Sequence, residues 1–217
     1  MVHSSAGGAS NEELERLGLS APEVLSIIDN TILDTTCRVE EIVDFAKRSG
    51  ELGFCAVAVN SALVREIVPA LENSGTRVCS AIGFPLGAVS TFCKAAEVRD
   101  VLAAGAQEVD FVCNINLVKS GSWDSLTDEA RRLVDVAEGR VTKMILETAL
   151  LTDSEKLRLC DVAMESGVTF VKTSTGFNGG TTLEEVRALK GHVGELCGVK
   201  ATGGIRTLSD VLAMVEA

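Results

Sequence analysis

Three lysines stand inside short apolar segments that follow one another along the chain: Lys143, Lys172 and Lys200. Burying an ammonium group is costly unless a counter-charge compensates for it, so lysine is rare in such segments. A single lysine of this kind would be expected to reach solvent from the end of a strand. Three in succession, two of them followed by glycine-containing turns, instead predict a shared polar site.

A lysine attacks a carbonyl carbon only as the neutral amine, and its ordinary pKa of about 10.4 leaves little of that form at neutral pH. A desolvated pocket and a neighbouring cation both lower the pKa. Lys172, with Lys200 on the next predicted strand, meets this requirement. Asp110 adds a group that can move protons while a carbinolamine forms and loses water. These residues predict Schiff-base chemistry with Lys172 as the nucleophile.

Glycine-bearing turns follow two of these lysines and are candidates for binding phosphate. Their glycines, and the arginine that follows the second turn, are Gly176, Gly203, Gly204 and Arg206. Backbone N–H groups exposed at the start of a helix bind anions, and an arginine adds a fixed positive charge. For a glycine pair alone, a tight turn without a ligand is the alternative.

Short apolar strands alternate with amphipathic helices about every 25 to 35 residues, the length of a βα unit. The predicted strands are Ser26–Asp29, Phe54–Asn60, Val78–Gly83, Glu108–Cys113, Lys143–Glu147, Thr169–Lys172 and Leu196–Lys200. A helix is predicted over Asp124–Ala137, another begins near Arg38, and Thr152 and Asp153 occupy N-cap positions. Asn11–Leu25 is predicted as an extra helix, so residues 1–24 form an N-terminal extension and residues 25–217 the main domain.

This alternation predicts an α/β protein, and the number of units favours a (β/α)8 barrel. A doubly wound sheet usually has five or six strands and a glycine-rich turn after the first, whereas Asn30–Thr36 contains no glycine. The eighth strand of a barrel is missing from the sequence, which stops at Ala217. Because that strand pairs with both the seventh and the first, we expect the natural protein to continue. The alternative is a complete chain with another activity.

Composition narrows the function classes further. The chain has 217 residues, enough for one domain, and a net charge of −11 with scattered basic residues, which argues against nucleic acid. No apolar run approaches the roughly 20 residues of a membrane span, and the first ten residues lack a secretory signal. Seven cysteines without a CxxC pair, and two histidines, predict free thiols in a reducing compartment, the cytoplasm, and no metal site.

Two segments closely resemble motifs of the deoxyribose-phosphate aldolases. Phe170–Phe177 (FVKTSTGF) is similar to their Schiff-base motif, and Gly198–Arg206 (GVKATGGIR) to their second-lysine motif. Shorter matches occur in the same order at Ile28–Thr31, Ile82–Gly87, Glu108–Asp110 and Ile145–Thr148. The resemblance runs from about residue 25 to the end of the chain.

The resemblance implies a TIM barrel and a class I aldolase without metal or other cofactor. Its reaction would be the reversible cleavage of 2-deoxy-D-ribose 5-phosphate to D-glyceraldehyde 3-phosphate and acetaldehyde. Lys172 would form the imine, Lys200 would perturb its pKa, and Asp110 would relay protons. Asp29, Thr31, Lys143 and Thr175 would support them, and Gly176, Gly203, Gly204 and Arg206 would hold the phosphate. A homodimer is possible for barrels of this type.

Three positions depart from the family pattern. Asn30 stands where many relatives have histidine, Asn116 where many have glycine, and Ala58 where a cysteine is common. These departures leave the lysines and Asp110 in place but bear on turnover and substrate preference. Two alternatives therefore stay open, a binding or scaffolding protein on an aldolase fold and a Schiff-base aldolase that acts on another phosphorylated sugar.

Overall fold

A computed structural model describes residues 14–217 and contains one curled sheet of seven parallel strands. The strands are β1 (Asp29–Thr31), β2 (Ala56–Asn60), β3 (Arg77–Ile82), β4 (Glu108–Val112), β5 (Val141–Ile145), β6 (Phe170–Lys172) and β7 (Gly198–Lys200). Each strand pairs with the next one in the chain, and within the described residues β1 and β7 do not pair with each other. The predicted α/β class, with seven barrel strands, is confirmed.

Helices connect the strands and cover the outer face of the sheet. They are α1 (Ala21–Leu25), α2 (Val39–Leu52), α3 (Val64–Leu71), α4 (Thr91–Ala103), α5 (Ile115–Lys119), α6 (Trp123–Val136), α7 (Asp153–Glu165), α8 (Leu183–Val193) and α9 (Leu208–Glu216). As predicted, Thr152 caps α7, in a capping box with Glu155. None of the helices in the part that the structure describes combines the length and hydropathy of a membrane span.

The two faces of the sheet differ because side chains alternate along each strand. On the outer face, Val57 and Val59 of β2 join the main apolar core with helix residues such as Ile42 and Ile67. On the inner face, Ala56 and Ala58 form a separate small cluster with Cys79. Small side chains on this side of the barrel interior leave volume that long side chains from the opposite strands can fill.

The chain before β1 differs from the prediction of one helix followed by a strand at Ser26–Asp29. Residues 11–13 lie outside the described residues; residues 14–17 are helical, and the helix breaks at Gly18, whose φ is 65°. Ser20 then starts α1 with a capping box to Glu23. Because Ser26 and Ile27 close the end of α1 through backbone bonds to Pro22 and Val24, the strand begins only at Asp29.

Each end of the remaining six strands lies within two residues of its predicted position.

The residues before β1 meet the last helix, α9, beside the unpaired edges of β1 and β7. There Val24 of α1 packs with Leu14 and with Leu212 of α9. Arg16 and Glu216 form an ion pair at 2.6 Å in the same region. The segment before the predicted boundary at residue 24 therefore shares a small core with α9.

Candidate active site

One carboxylate in the barrel interior contacts all three lysines singled out from the sequence. Asp110 Oδ2 lies 2.8 Å from Lys172 Nζ and 2.8 Å from Lys200 Nζ, and Asp110 Oδ1 lies 2.9 Å from Lys143 Nζ. Lys172 and Asp110 are almost completely buried, at 2% and 1% exposure. The structure thus brings the predicted nucleophile, its neighbouring cation and the predicted proton-transfer group into one cluster.

Strand register explains why these side chains meet. Asp110 is paired with Lys143, and Lys172 with Lys200, between neighbouring strands. Paired residues of neighbouring parallel strands point to the same face. β4, β5, β6 and β7 therefore deliver four polar side chains to one side of the curled sheet, opposite the small residues of β2.

Asp29 extends the cluster across the gap between the unpaired strands. Its Oδ2 lies 2.5 Å from Lys200 Nζ and 3.2 Å from Lys143 Nζ, so a side-chain ion pair joins β1 to β7 where no backbone bond does. Thr31, predicted in the same network, is exposed, and its hydroxyl donates to the carbonyl of Asp29. Among the described residues, Thr31 makes no hydrogen bond to the three lysines.

The three lysines differ in how firmly they hold their protons. Burial lowers the pKa of Lys172, and the nearby charge of Lys200 lowers it further, while Asp110 opposes both. Burial also acts on Lys200 and Lys143, but their carboxylate partners outweigh it and raise the pKa of each. Lys172 is therefore the lysine of this cluster that loses its proton first, and the other two stay cationic.

The two aspartates remain ionised beside these cations. Burial alone would raise the pKa of Asp110, but Lys172, Lys200 and Lys143 together hold it well below its ordinary value. The pKa of Asp29 is also lowered, because Lys200 and Lys143 outweigh the effect of burial. Each carboxylate consequently accepts hydrogen bonds from the lysines at neutral pH.

Three residues that were not predicted from the sequence as site residues complete this cluster. Glu108 Oε2 lies 2.5 Å from Lys143 Nζ, and Glu108 Oε1 lies 2.7 Å from Arg77 Nε. The Cys79 thiol donates to Asp110 Oδ1 at 3.1 Å. Glu108 lies two residues before Asp110, so the period of a strand puts both on one face, a signal that the sequence contained.

The loop after β6 is held by a buried carboxylate. Glu147 accepts hydrogen bonds from the Thr175 hydroxyl and, at 3.3 Å, from the Thr175 backbone N–H. Glu147 has a φ of 58°, in the left-handed region that is uncommon for residues other than glycine. The predicted supporting residue Thr175 therefore anchors the loop that carries Gly176, and it makes no hydrogen bond to the lysines among the described residues.

The two glycine-bearing loops are tied to each other. Ser174 Oγ donates to the carbonyl of Thr202 at 2.7 Å, joining the loop after β6 to the loop after β7. A Cβ atom on Gly203 would lie 2.8 Å from Gly180 Cα, so only glycine permits this approach. Gly176 and Gly204 have φ values of 89° and 82° and open space where a side chain would be.

A cavity of about 1290 Å³ runs along the gap between β1 and β7. Its lining includes Lys200, Gly203, Gly204 and the exposed Arg206, but neither Lys172 nor Asp110. The Thr202 hydroxyl, which is buried and has no hydrogen-bond partner among the described residues, belongs to a residue of the same lining. Polar groups suited to an anion thus lie beside the lysine cluster.

The three departures from the family pattern make no hydrogen bond or ion pair with the lysines in the described part of the chain. Asn30 points to the outer face and donates to Ser49 of α2 at 2.9 Å, and Asn116 is exposed in α5. Ala58 is buried on the inner face beside Cys79. None of the three displaces a lysine or Asp110 from the cluster.

Side chains that could ligate a metal also occur here, since the ligand atoms of Asp29, Cys79 and Asp110 lie within 4.8 Å of one another. Their charges do not suit a metal, however. Both carboxylates already accept from lysines, and burial raises the pKa of the Cys79 thiol, which keeps it protonated. A metal cation at this point would face the ammonium groups of Lys143 and Lys200.

Comparisons with known proteins show the family to which the chain belongs. The family model described as DeoC/LacD family aldolase matches residues 34–217. The deoxyribose-phosphate aldolase of Carboxydothermus hydrogenoformans is 42% identical over 204 residues, covering 92% of this chain and 90% of the relative. The aldolase of the same name from Listeria monocytogenes is 43% identical over 196 residues, covering 89% and 88%.

Solved structures agree in both fold and sequence. The deoxyribose phosphate aldolase of Aeropyrum pernix, described as a tetramer, superposes with a TM-score of 0.86 at 33% identity and covers 97% of this chain and 90% of its own. An aldolase called QR15 gives a TM-score of 0.85 at 38% identity, covering 89% and 87%. This chain is an aldolase of the DeoC/LacD family.

Proposed function

We propose that the protein cleaves 2-deoxy-D-ribose 5-phosphate reversibly to D-glyceraldehyde 3-phosphate and acetaldehyde, through a Schiff base on Lys172. One observation carries the proposal: the buried Lys172 amine is held on Asp110 beside the cation of Lys200. The names and identities of the two curated relatives support the choice of substrate. No cofactor enters the reaction.

The reaction begins when the lone pair of the neutral Lys172 amine attacks the C1 aldehyde of the open-chain sugar. The carbinolamine takes up a proton and loses water, which leaves a protonated imine. Asp110 Oδ2 contacts both Lys172 and Lys200. It therefore links the reacting nitrogen to a cation through which a proton can return.

Cleavage uses the imine as an electron sink. The C3 hydroxyl loses its proton, the C2–C3 bond breaks, and its electron pair forms the enamine of C1 and C2 on Lys172. C3 becomes the aldehyde carbon of glyceraldehyde 3-phosphate. The enamine is then protonated at C2, and water hydrolyses the resulting imine to release acetaldehyde and the free amine.

The phosphate group would bind at the two glycine-bearing loops. Gly176 and Gly204 offer backbone at open positions, and Arg206 supplies charge at the lining of the cavity. Gly203 supports them by allowing the close approach of Gly180. We also propose the cytoplasm as the location, from the free cysteines, and a homodimer as the assembly, because dimers are common among barrels of this type.

Reductive trapping tests the proposed nucleophile. Borohydride with acetaldehyde should add one ethyl group, and peptide mapping should locate it on Lys172. The variant Lys172→Met should stay unlabelled under the same conditions. Labelling of Lys200, or of no residue in the native protein, would contradict the assignment and favour a binding role on the aldolase fold.

A further inference from the structure

The inner face of the barrel contains seven charged or chargeable side chains that contact one another in series. They are Asp29 of β1, Arg77 of β3, Glu108 and Asp110 of β4, Lys143 of β5, Lys172 of β6 and Lys200 of β7. The β2 strand contributes the uncharged Ala56 and Ala58 to this face. The Cys79 thiol of β3 is also uncharged, because burial raises its pKa.

These charges balance only when one lysine is neutral. Asp29, Glu108 and Asp110 supply three negative charges, and Arg77, Lys143 and Lys200 supply three positive ones. A protonated Lys172 would add a fourth cation with no carboxylate of its own, since it shares Asp110 Oδ2 with Lys200. An uncompensated charge in a desolvated interior is unfavourable, so the surplus lysine tends to lose its proton.

The balance depends on a pair at the amino-terminal end of the strands, away from the loops that would bind substrate. Arg77 is the first residue of β3 and Glu108 the first of β4. We propose that Arg77 and Glu108 are positioning residues that tune, through Lys143 and Asp110, how readily Lys172 gives up its proton. The inference rests on the proposed function, in which the neutral Lys172 amine is the nucleophile.

A series of direct side-chain contacts connects Arg77 to Lys172. Arg77 Nε lies 2.7 Å from Glu108, Glu108 lies 2.5 Å from Lys143 Nζ, and Lys143 Nζ lies 2.9 Å from Asp110 Oδ1. The other oxygen of Asp110 contacts Lys172 at 2.8 Å. Only Arg77 is substantially exposed, at 44% of its side chain, so water screens the rest of the series weakly.

The sign of each effect follows from the charge removed. Arg77→Gln leaves an extra negative charge in the series, which stabilises protonated Lys172 and raises its pKa. Glu108→Gln leaves an extra positive charge and lowers the pKa. We expect the pKa of Lys172 to shift by roughly 0.5 to 1 unit in opposite directions, because each variant removes one charge that acts on Lys172 through a medium of intermediate dielectric.

The experiment is a titration of the Lys172 side chain by NMR, using the ¹³Cε signal that disappears in Lys172→Met. The variants are Arg77→Gln, Glu108→Gln, the double variant and the charge-conserving control Arg77→Lys. We expect the double variant and Arg77→Lys to titrate near the native midpoint, because each preserves the charge balance. A purely structural role would not produce opposite shifts that cancel in the double variant.

Three outcomes overturn the inference: unmoved midpoints, shifts of the same sign, or an Arg77→Lys variant that behaves like Arg77→Gln. Because Arg77 is half exposed, the arginine variants decide the question even if Glu108→Gln fails to fold. The titration needs no turnover, so it is separate from the trapping experiment. If the predicted shifts occur but acetaldehyde does not label Lys172, the proposed function fails, and what stands is the electrostatic coupling of Arg77 and Glu108 to Lys172.

Discussion

Lys172, Lys200 and Lys143 share one aspartate and differ in chemistry because of their other partners. Lys143 contacts three carboxylates and Lys200 contacts two, whereas Lys172 contacts Asp110 alone. The lysine with the fewest counter-charges is the one whose pKa is lowered. Residue type alone could not have ranked them, since all three stand in similar apolar segments.

The variant Asp110→Asn tests whether the Asp110 carboxylate transfers protons during the reaction. The change keeps the shape of the side chain but removes the base, so we expect turnover to fall about a hundredfold or more. The pKa of Lys172 should fall further in the variant, because the negative charge of Asp110, which raises it, has been removed. Steady-state kinetics of sugar phosphate cleavage measures the effect.

The control for this variant is Asp100→Asn, which makes the same chemical change in an exposed pair with Arg65. Its turnover should match that of the native protein, since exposed ion pairs contribute little to stability. Near-normal turnover in Asp110→Asn would assign Asp110 a structural role and remove it from the proposed proton path.

At the scale of elements, the alternation of strands and helices was predictable because buried parallel strands have a distinctive apolar pattern. The start of β1 was not. Ile27 and Ile28 resemble strand residues, yet they close the end of α1, and Ile28 packs against the cluster of Leu14 and Leu212. Tertiary packing decided this boundary, and a single sequence does not display it.

For the site, the sequence predicted which residues take part but not which residues contact one another. Alternation along the strands identified the lysines and Asp110, but register between strands decided their partners. Glu108 meets Lys143, and Asp29 meets Lys200 across the gap between β1 and β7. Contacts of this kind depend on the curl of the sheet, for which the sequence has no local signal.

The loop after β6 provides a prediction at this scale. Glu147→Gln should weaken the two bonds to Thr175 and loosen the loop that carries Gly176. Because hydrogen bonds to a charged group contribute about 1.5 to 3 kcal/mol, we expect KM for the phosphorylated sugar to rise about tenfold. Trapping of acetaldehyde, which has no phosphate, should change little.

Glu138→Gln is a matched control for that variant. Glu138 also adopts a left-handed backbone, with a φ of 52°, but it is exposed at the end of α6. The same substitution there should leave KM unchanged. If both variants raise KM equally, or if Glu147→Gln impairs acetaldehyde trapping as strongly as sugar binding, the loop-anchoring role is wrong.

For the whole molecule, the gap between β1 and β7 makes stability depend on the interior charges. No backbone bonds join these strands in the described part of the chain, and the Asp29–Lys200 pair bridges them. When acid protonates the aspartates, the buried ammonium groups lose their partners and repel one another. Acid should therefore destabilise the curled sheet as a unit.

The direction of this effect follows from the two aspartates. Their pKa values are lowered in the folded protein, so their contribution is fully present above the unfolded value of about 3.9 and is lost as pH falls through the folded values. We expect the free energy of unfolding, measured with urea, to fall by at least about 2 kcal/mol between pH 6 and pH 3. Asp110→Asn should show a flatter dependence, because one of the two groups is absent. Equal pH dependence in the native protein and the variant would show that Asp110 does not contribute to acid sensitivity.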